Sequence, residues 1–317
     1  MTTRPPALLA GLLLTAGALA AYVGIARDGG ARDAGPADSR TRYAAVGDSF
    51  TSGVGIPRQS ADPAGCGRSD HNYPALVAAG LGLTADDFRD VSCSGAAIAD
   101  LTAPQITGGG SNPAQFGALS PATRLVTIGI GSNDLDLIGM IMRCVTDTTA
   151  DAFLGTGGGS HRPEPAPCRG QYVEGGTDHA QERIAAAGGR LSDALREVRR
   201  RAPGARVLVV GYPAIMPADS SACGLELPLA RGDITFLREK EQQLDATLRE
   251  RARAAGADFV DTYTPSREHN ACSAAGTRWV EPLQPSGPAA ALHPNARGER
   301  GMAAEVLRAV NSAGHLG

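Results

Sequence analysis

Five short apolar runs set the tightest limit on how this chain can fold: Tyr43–Val46, Phe88–Ser92, Leu125–Ile130, Arg206–Tyr212 and Phe259–Tyr263. Each is too short for a buried helix and rich in β-branched, aromatic or other apolar side chains, which makes it a buried strand. Between or after them the apolar residues recur with helical spacing, over Tyr73–Leu81, Ala180–Arg201, Ile234–Ala255 and Pro294–Asn311. The last of these opens on a proline, whose missing N–H costs nothing in a first helical turn. Strands alternating with helices argue an α/β fold, a parallel sheet covered by helices on both faces. The chain has 317 residues, 42% of them hydrophobic, enough to bury one sizeable core or two modest ones. No internal repeat is visible, and we read one domain from about Thr41 onward, over 42–317. The exception to the rhythm is Met142–Thr177, full of Gly and Pro with little to bury. We expect a surface excursion there, pinned by Cys144 and Cys168.

The N-terminus says where the domain goes. Met1–Arg4 carries one arginine, and Pro5–Ala26 then runs without a charge. A basic start before an apolar run is the pattern of a secretory signal, with Ala18-Leu19-Ala20 as a site for cleavage. Ala7–Ala26 is also long enough to span a bilayer, so residues 1–26 read as a signal peptide or as a signal anchor, a membrane tether. Residues 27–41 are a polar linker. Both readings place the domain outside the cytoplasm, secreted or held at the membrane.

Charge and cysteine usage agree. The formal net charge is −3, which gives no argument for nucleic acid as a partner. Six cysteines, Cys66, Cys93, Cys144, Cys168, Cys223 and Cys272, are an even count in an exported chain and imply disulfides. None forms a C-x-x-C pair or has a histidine at metal-ligand spacing, so a zinc site is not expected. Fifteen pairings are open, of which the sequential one closes the shortest loops; spacing does not choose among them.

In open parallel sheets ligands collect at the carboxyl ends of the strands. Gly47–Gly53 (G-D-S-F-T-S-G) follows the first run, Ser92–Ala96 (S-C-S-G-A) the second and Gly131–Asp134 (G-S-N-D) the third, while His293 lies in the last connection into a helix. Singly, each has a plain structural reading: Ser49 or Asn133 can cap a helix, Gly95 can serve a tight turn, and His293 can be packed. Gly129-x-Gly131 after a strand lacks the third glycine of a dinucleotide loop. Their joint occurrence, each at a strand end, points to acyl transfer. A serine hydroxyl needs an adjacent base, and His293 is the only histidine at such a junction. The oxyanion needs donors; the backbone N–H groups of Ser49 and Gly95 and the amide of Asn133 supply three. His71, His161, His179, His269 and His315 sit in polar stretches and read as solvated. Trp279, in a loop before His293, reads as packing or as a wall of a substrate groove, and nothing in the sequence places Arg143 or Arg162 at the site.

Gly47-Asp48-Ser49, Gly95, Gly131-x-Asn133-Asp134 and His293-Pro294 resemble the ordered blocks of the SGNH (GDSL) hydrolase superfamily. Asn72-Tyr73-Pro74, Ser92–Ala96 and Gly211-Tyr212-Pro213 are similar to segments of its secreted, three-disulfide lipases and esterases. The resemblance spans most of the exported region. It implies a flavodoxin-like three-layer α/β/α sandwich with a five-stranded parallel sheet, hydrolysis of carboxylic esters, and neither metal nor cofactor. It also implies the pairing Cys66–Cys93, Cys144–Cys168 and Cys223–Cys272. Ala290 departs from it, because most of the superfamily has aspartate three residues before the histidine. Some secreted members orient their histidine with a backbone carbonyl, so the carbonyl of Ala290 or Ala291 is expected to accept from the imidazole, with Asp134 supporting its own loop. We expect a monomeric lipase or esterase acting on a small-molecule or lipid ester; the alternatives are a phospholipase or carbohydrate-ester deacetylase on the same site, or a noncatalytic surface binding module.

Overall fold

Alternate residues along the central strands face opposite ways, and the two apolar faces this creates are what the helices cover. In the computed structural model of the chain, the structure describes residues 41–63, 65–154 and 166–312. Residues 1–26, the linker up to residue 40, His161, Arg162 and His315 lie outside them. The strands are β1 (Tyr43–Gly47), β2 (Phe88–Asp90), β3 (Gln105–Thr107), β4 (Gly110–Asn112), β5 (Leu125–Gly129), β6 (Val173–Glu174), β7 (Thr177–Asp178), β8 (Arg206–Val210) and β9 (Asp258–Val260). Five form one all-parallel sheet in the order β2-β1-β5-β8-β9. The pairs β3–β4 and β6–β7 are small antiparallel ribbons.

The helices are α1 (Ser49–Ser52), α2 (Tyr73–Gly80), α3 (Ser132–Leu135), α4 (Leu137–Leu154), α5 (His179–Arg201), α6 (Arg231–Ala254), α7 (Tyr263–Ser266) and α8 (Ala296–Ser312). Ala44, Val46, Val126 and Ile128 of the sheet pack with Leu137 and Ile141 of α4, Leu191 of α5 and Leu244 of α6. Tyr43, Ala45, Leu125 and Val210 point the other way, into Val77 of α2 and Met302 and Val306 of α8. Three layers, helix on sheet on helix, result. The strand order is the doubly wound one in which the chain reverses direction between β1 and β5, and a crevice opens there at the carboxyl ends.

Three expectations need correction. The excursion at Met142–Thr177 is not one loop: its first part belongs to the 18-residue helix α4. Leu137, Met140, Ile141 and Cys144 are all fully buried at helical spacing, a pattern split by starting the loop at Met142. Residues 155–165 lie outside the described residues, and the rest is the turn Cys168–Gln171 with the β6–β7 ribbon. Pro294 does not open the last helix either. It pairs with Val280 in an isolated bridge, and Asn295 caps α8 by accepting from the N–H groups of Arg297 (2.9 Å) and Gly298 (3.1 Å). The last strand ends at Val260, because Tyr263 already starts α7.

The disulfides join Cys66 to Cys93, Cys144 to Cys168 and Cys223 to Cys272. Such bonds persist in oxidising compartments outside the cytoplasm. Among the described residues no helix is long and apolar enough to cross a membrane.

Helix α6 carries three buried acids, Asp233, Glu241 and Asp245, the last two against the segment that follows β8. Glu241 accepts from the N–H of Met216 at 3.3 Å, and Asp245 from that of Tyr212 at 3.0 Å. Burial, against those hydrogen bonds, pushes Glu241 up to about 8 and Asp245 up to about 7. A carboxyl whose pKa is raised by folding stabilises the fold fully below its unfolded value, and that contribution is lost as the pH rises through the folded one. Thermal melting should therefore show stability declining between about pH 4 and 8, with a shallower decline in Glu241→Gln. A Glu241→Gln variant whose melting temperature follows the same pH course as the parent's over that interval would contradict the burial of this acid.

Candidate active site

The turn after β1 is built so that one serine stands at the sheet edge. A Cβ on Gly47 would lie 2.2 Å from Thr51 Oγ1 and 2.4 Å from the Gly129 carbonyl, so only glycine fits there. Asp48 caps the single turn of α1 by accepting from the Phe50 N–H at 3.0 Å. The other oxygen of the same carboxyl accepts from the Tyr212 hydroxyl (2.6 Å) and the Ser132 hydroxyl (2.9 Å). Desolvation outweighs these three bonds and pushes Asp48 up to about 6. From the other side Gln115 exchanges two hydrogen bonds with the backbone of Gly47, at 2.7 and 3.0 Å.

Ser49, nearly buried in this turn, meets His293 across 244 residues of sequence: Ser49 Oγ lies 2.8 Å from His293 Nε2. His293 Nδ1 lies 2.7 Å from the carbonyl oxygen of Ala291. A carbonyl only accepts, so Nδ1 carries the proton and Nε2 is left as the acceptor for the serine hydroxyl. Of the two expected carbonyls, Ala291 faces the ring. Ala290 serves the loop instead, accepting from the His293 N–H (3.2 Å) and donating its own N–H to the Val54 carbonyl (3.0 Å). Burial lowers the imidazole below its usual 6.5, and the bond to Ala291 opposes that shift. The Phe50 ring packs on the imidazole, 4.8 Å between centroids. Where α1 ends, a Cβ on Gly55 would come within 2.6 Å of the Ala290 nitrogen, so the serine turn and the histidine loop touch through backbone.

The remaining junctions lock to these two. Cys93 donates its N–H to the Gly47 carbonyl (3.0 Å), Ser94 to that of Cys66 (2.9 Å), and Gln105 Nε2 holds the Ser94 carbonyl (2.8 Å). Gly95 follows with φ +79°, a left-handed conformation suited to glycine. In the turn after β5, Asn133 Nδ2 donates to the Ala96 carbonyl at 2.9 Å, and the Ser132 N–H donates to the Tyr212 hydroxyl at 2.9 Å. Asp134 accepts from the Ile98 N–H (2.9 Å) and Arg190 Nε (2.8 Å), away from the imidazole. All the expected junctions thus come together.

Residue roles elsewhere diverge from expectation in places. Trp279 packs: its ring lies against Gly301 of α8 and stacks on His269 at 5.5 Å. His269 is therefore a packed residue rather than a solvated one, because the indole covers its face. Arg143 is engaged with Asp136 (2.7 Å) and the Tyr172 hydroxyl (2.7 Å). Gln115, Ser132 and Tyr212 were not expected at the site. Tyr212 lies in a Gly-Tyr-Pro segment that marked a resemblance but no role, and Gln115 carries no local signal.

A doubly wound sheet with a serine, a neutral imidazole and glycine-built turns at its carboxyl edge defines an SGNH-type hydrolase. Residues 45–300 match the GDSL-like lipase/acylhydrolase family, and the chain belongs to it. It is 39% identical over 268 residues to Lipase 2 of Streptomyces coelicolor, which covers 84% of each chain. The crystal structure of phospholipase A1 from Streptomyces albidoflavus NA297 is 27% identical, covers 86% of this chain and 99% of its own, and superposes with a TM-score of 0.67. An extracellular lipase from Streptomyces rimosus is 26% identical over the same shares, with a TM-score of 0.60. The chain is a carboxylic ester hydrolase of the lipase and esterase type.

A lowered imidazole pKa keeps the base form populated further into acid. The acid limb of kcat/KM should therefore reach half its plateau below pH 6.5. A half-maximum above that value would mean that the ring is more solvated, or closer to a negative charge, than its surroundings here indicate.

Proposed function

We propose that the chain is an exported lipase or esterase that works through an acyl-serine intermediate on Ser49. The observation that carries this reading is the line from Ser49 Oγ to His293 Nε2 (2.8 Å) and from His293 Nδ1 to the Ala291 carbonyl (2.7 Å). His293 takes the hydroxyl proton as Ser49 attacks the ester carbonyl, then returns it to the leaving alcohol. Water enters by the same route to release the acid. The backbone N–H groups of Ser49 and Gly95 and the Asn133 amide receive the oxyanion. One hydrogen of that amide is spent on Ala96, which leaves the second for the substrate.

The substrate class is a carboxylic ester of a lipid or small alcohol. The similarity to a phospholipase A1 favours phospholipids as a second reading. The line from Ser49 through His293 to Ala291 is complete within one chain, so the proposed chemistry asks for no second copy. The three disulfides and the apolar stretch at residues 1–26 support export, with Ala18-Leu19-Ala20 as the site of cleavage. Mass analysis of the exported protein distinguishes a cleaved N-terminus from a retained membrane tether.

Ser49→Ala should fold normally and lose activity by on the order of 10⁴–10⁶ in kcat, and a fluorophosphonate should label Ser49 alone. Retained turnover, or labelling elsewhere, sinks the assignment. Asn133→Ala should lower kcat by about 10²–10³ with KM little changed; a loss confined to KM would place Asn133 in ground-state binding. Rates on p-nitrophenyl esters from acetate to palmitate, set beside a phospholipid, resolve the two substrate readings.

A further inference from the structure

His293 hangs from a loop that must be held in place. Leu292, immediately before it, has φ +62°, a left-handed conformation unfavourable for any residue with a Cβ. Glu281 meets this loop through both its backbone and its side chain. Its N–H donates to the His293 carbonyl and its carbonyl accepts from the Leu292 N–H, both at 3.0 Å. Its side chain is 3% exposed. One carboxylate oxygen accepts from Asn295 Nδ2 at 2.8 Å, and the other from the Ser286 N–H at 2.9 Å and hydroxyl at 3.3 Å. The backbone thus grips residues 292 and 293, while the carboxylate joins the loop before them to the cap of α8 after them. The carboxylate does not reach the imidazole, whose two nitrogens face Ala291 and Ser49.

We propose that Glu281 is the positioning residue of His293, a role that rests on the reading of His293 as the base. Position 290, where a triad acid would stand, is alanine. The two tasks of such an acid, holding the ring and charging it, are therefore separated. The Ala291 carbonyl fixes the tautomer, and Glu281 fixes the loop that carries both the carbonyl and the ring. Glu281 supplies geometry and no charge to the imidazolium. Its loss costs alignment, for which displacement of a reacting group by about 1 Å is worth up to about 100-fold in rate.

The test compares Glu281→Ala, Glu281→Gln and the pair E281Q/N295D. Rates are expressed per active site titrated with a fluorophosphonate and measured well below each melting temperature. Glu281→Ala should lower kcat about 10- to 100-fold and change KM less than about threefold. The Nδ1–H proton resonance of His293 should broaden or exchange faster in the same variant. Glu281→Gln should lose less than the alanine variant, because it keeps an oxygen to accept from the Ser286 N–H, but still lose activity, because its amide nitrogen would face that of Asn295, donor against donor. In E281Q/N295D the new amide donates to the new carboxylate, which still accepts from the N–H groups of Arg297 and Gly298 but loses the bond that Asn295 Nδ2 gives the Arg278 carbonyl at 3.1 Å, so kcat and the resonance should recover in part, above those of Glu281→Gln. If Glu281→Ala does not fold, the Gln variant and the pair carry the same comparison. A kcat within twofold of the parent with an unchanged resonance overturns the proposal. So does a loss as deep as that of His293→Ala, which would make Glu281 an acid of the reaction itself. Activity surviving His293→Ala would sink the base assignment instead, while the resonance would still report whether Glu281 holds the ring.

Discussion

The carboxyl of Asp48 is where three strand ends are tied together. Hydrogen bonds within the sheet align β1, β5 and β8 side by side, but they leave the turns beyond those strands free to splay. Asp48 closes them by accepting from Phe50 in the turn after β1, from Ser132 in the turn after β5, and from Tyr212 beyond β8. With one carboxyl at the centre, a shift in any turn strands a buried donor, at a cost of about 1–3 kcal/mol. Tyr212 works in both directions, donating to Asp48 and accepting from the Ser132 N–H. The Phe50 ring meets Tyr212 edge-on at 5.1 Å and lies against His293 at 4.8 Å. The carboxyl that sets the serine turn therefore also sets the surface on which the imidazole rests.

The partner of His293 Nδ1 is a neutral carbonyl, and this has chemical consequences under the proposed mechanism. A carbonyl fixes the tautomer as firmly as a carboxylate does, because it has no proton of its own to exchange. It contributes no full negative charge, so the imidazolium formed during attack gains less stabilisation than it would beside aspartate. Burial compounds this by disfavouring the charged ring. The mechanism then leans on donors at the oxyanion and on exact placement of the ring. Both are properties of loops, and loops need outside support in a chain with 41 glycines.

How much of this was legible in the sequence depends on the range of the contact. The strands were readable because each is a short apolar run, and α5 and α6 because their apolar positions repeat over many turns. The serine, the glycines and the histidine were readable because each stands at a strand or helix junction. Helix α4 was obscured by a boundary drawn through its own periodicity. The cap at Asn295 was hidden by a proline that fits a first turn equally well. Gln115 and Tyr212 act on residues 68 and 164 positions away, and no local pattern records such a partner. Spacing left the cysteine pairing open; it followed from resemblance and matches the bonds that the structure contains.

The disulfides root the loops in the interior, since Cys66, Cys93, Cys144 and Cys168 are all fully buried. Cys93 lies two residues before Gly95, and its bond to Cys66 anchors the turn whose N–H is proposed to face the oxyanion. Cys144, inside α4, reaches the turn at Cys168 and closes the excursion that follows the helix. Cys272 holds the start of the segment that runs through Trp279 and Glu281 to His293, fastened to Cys223 beyond β8. Among the described residues, neither the turn at Gly95 nor the stretch from Cys272 to His293 holds a strand or helix of its own. In the chain-entropy model each closed loop stabilises the fold by about 3–4 kcal/mol, chiefly by restricting the unfolded chain. The local effect matters more for catalysis. Donors aimed at a developing charge accelerate a reaction only if they are in place before the charge appears. A covalent tie at the root of a loop, with buried polar clamps such as Asp48 and Glu281 nearer its tip and core residues such as Ala96, Val280 and Leu292 beneath it, meets that condition.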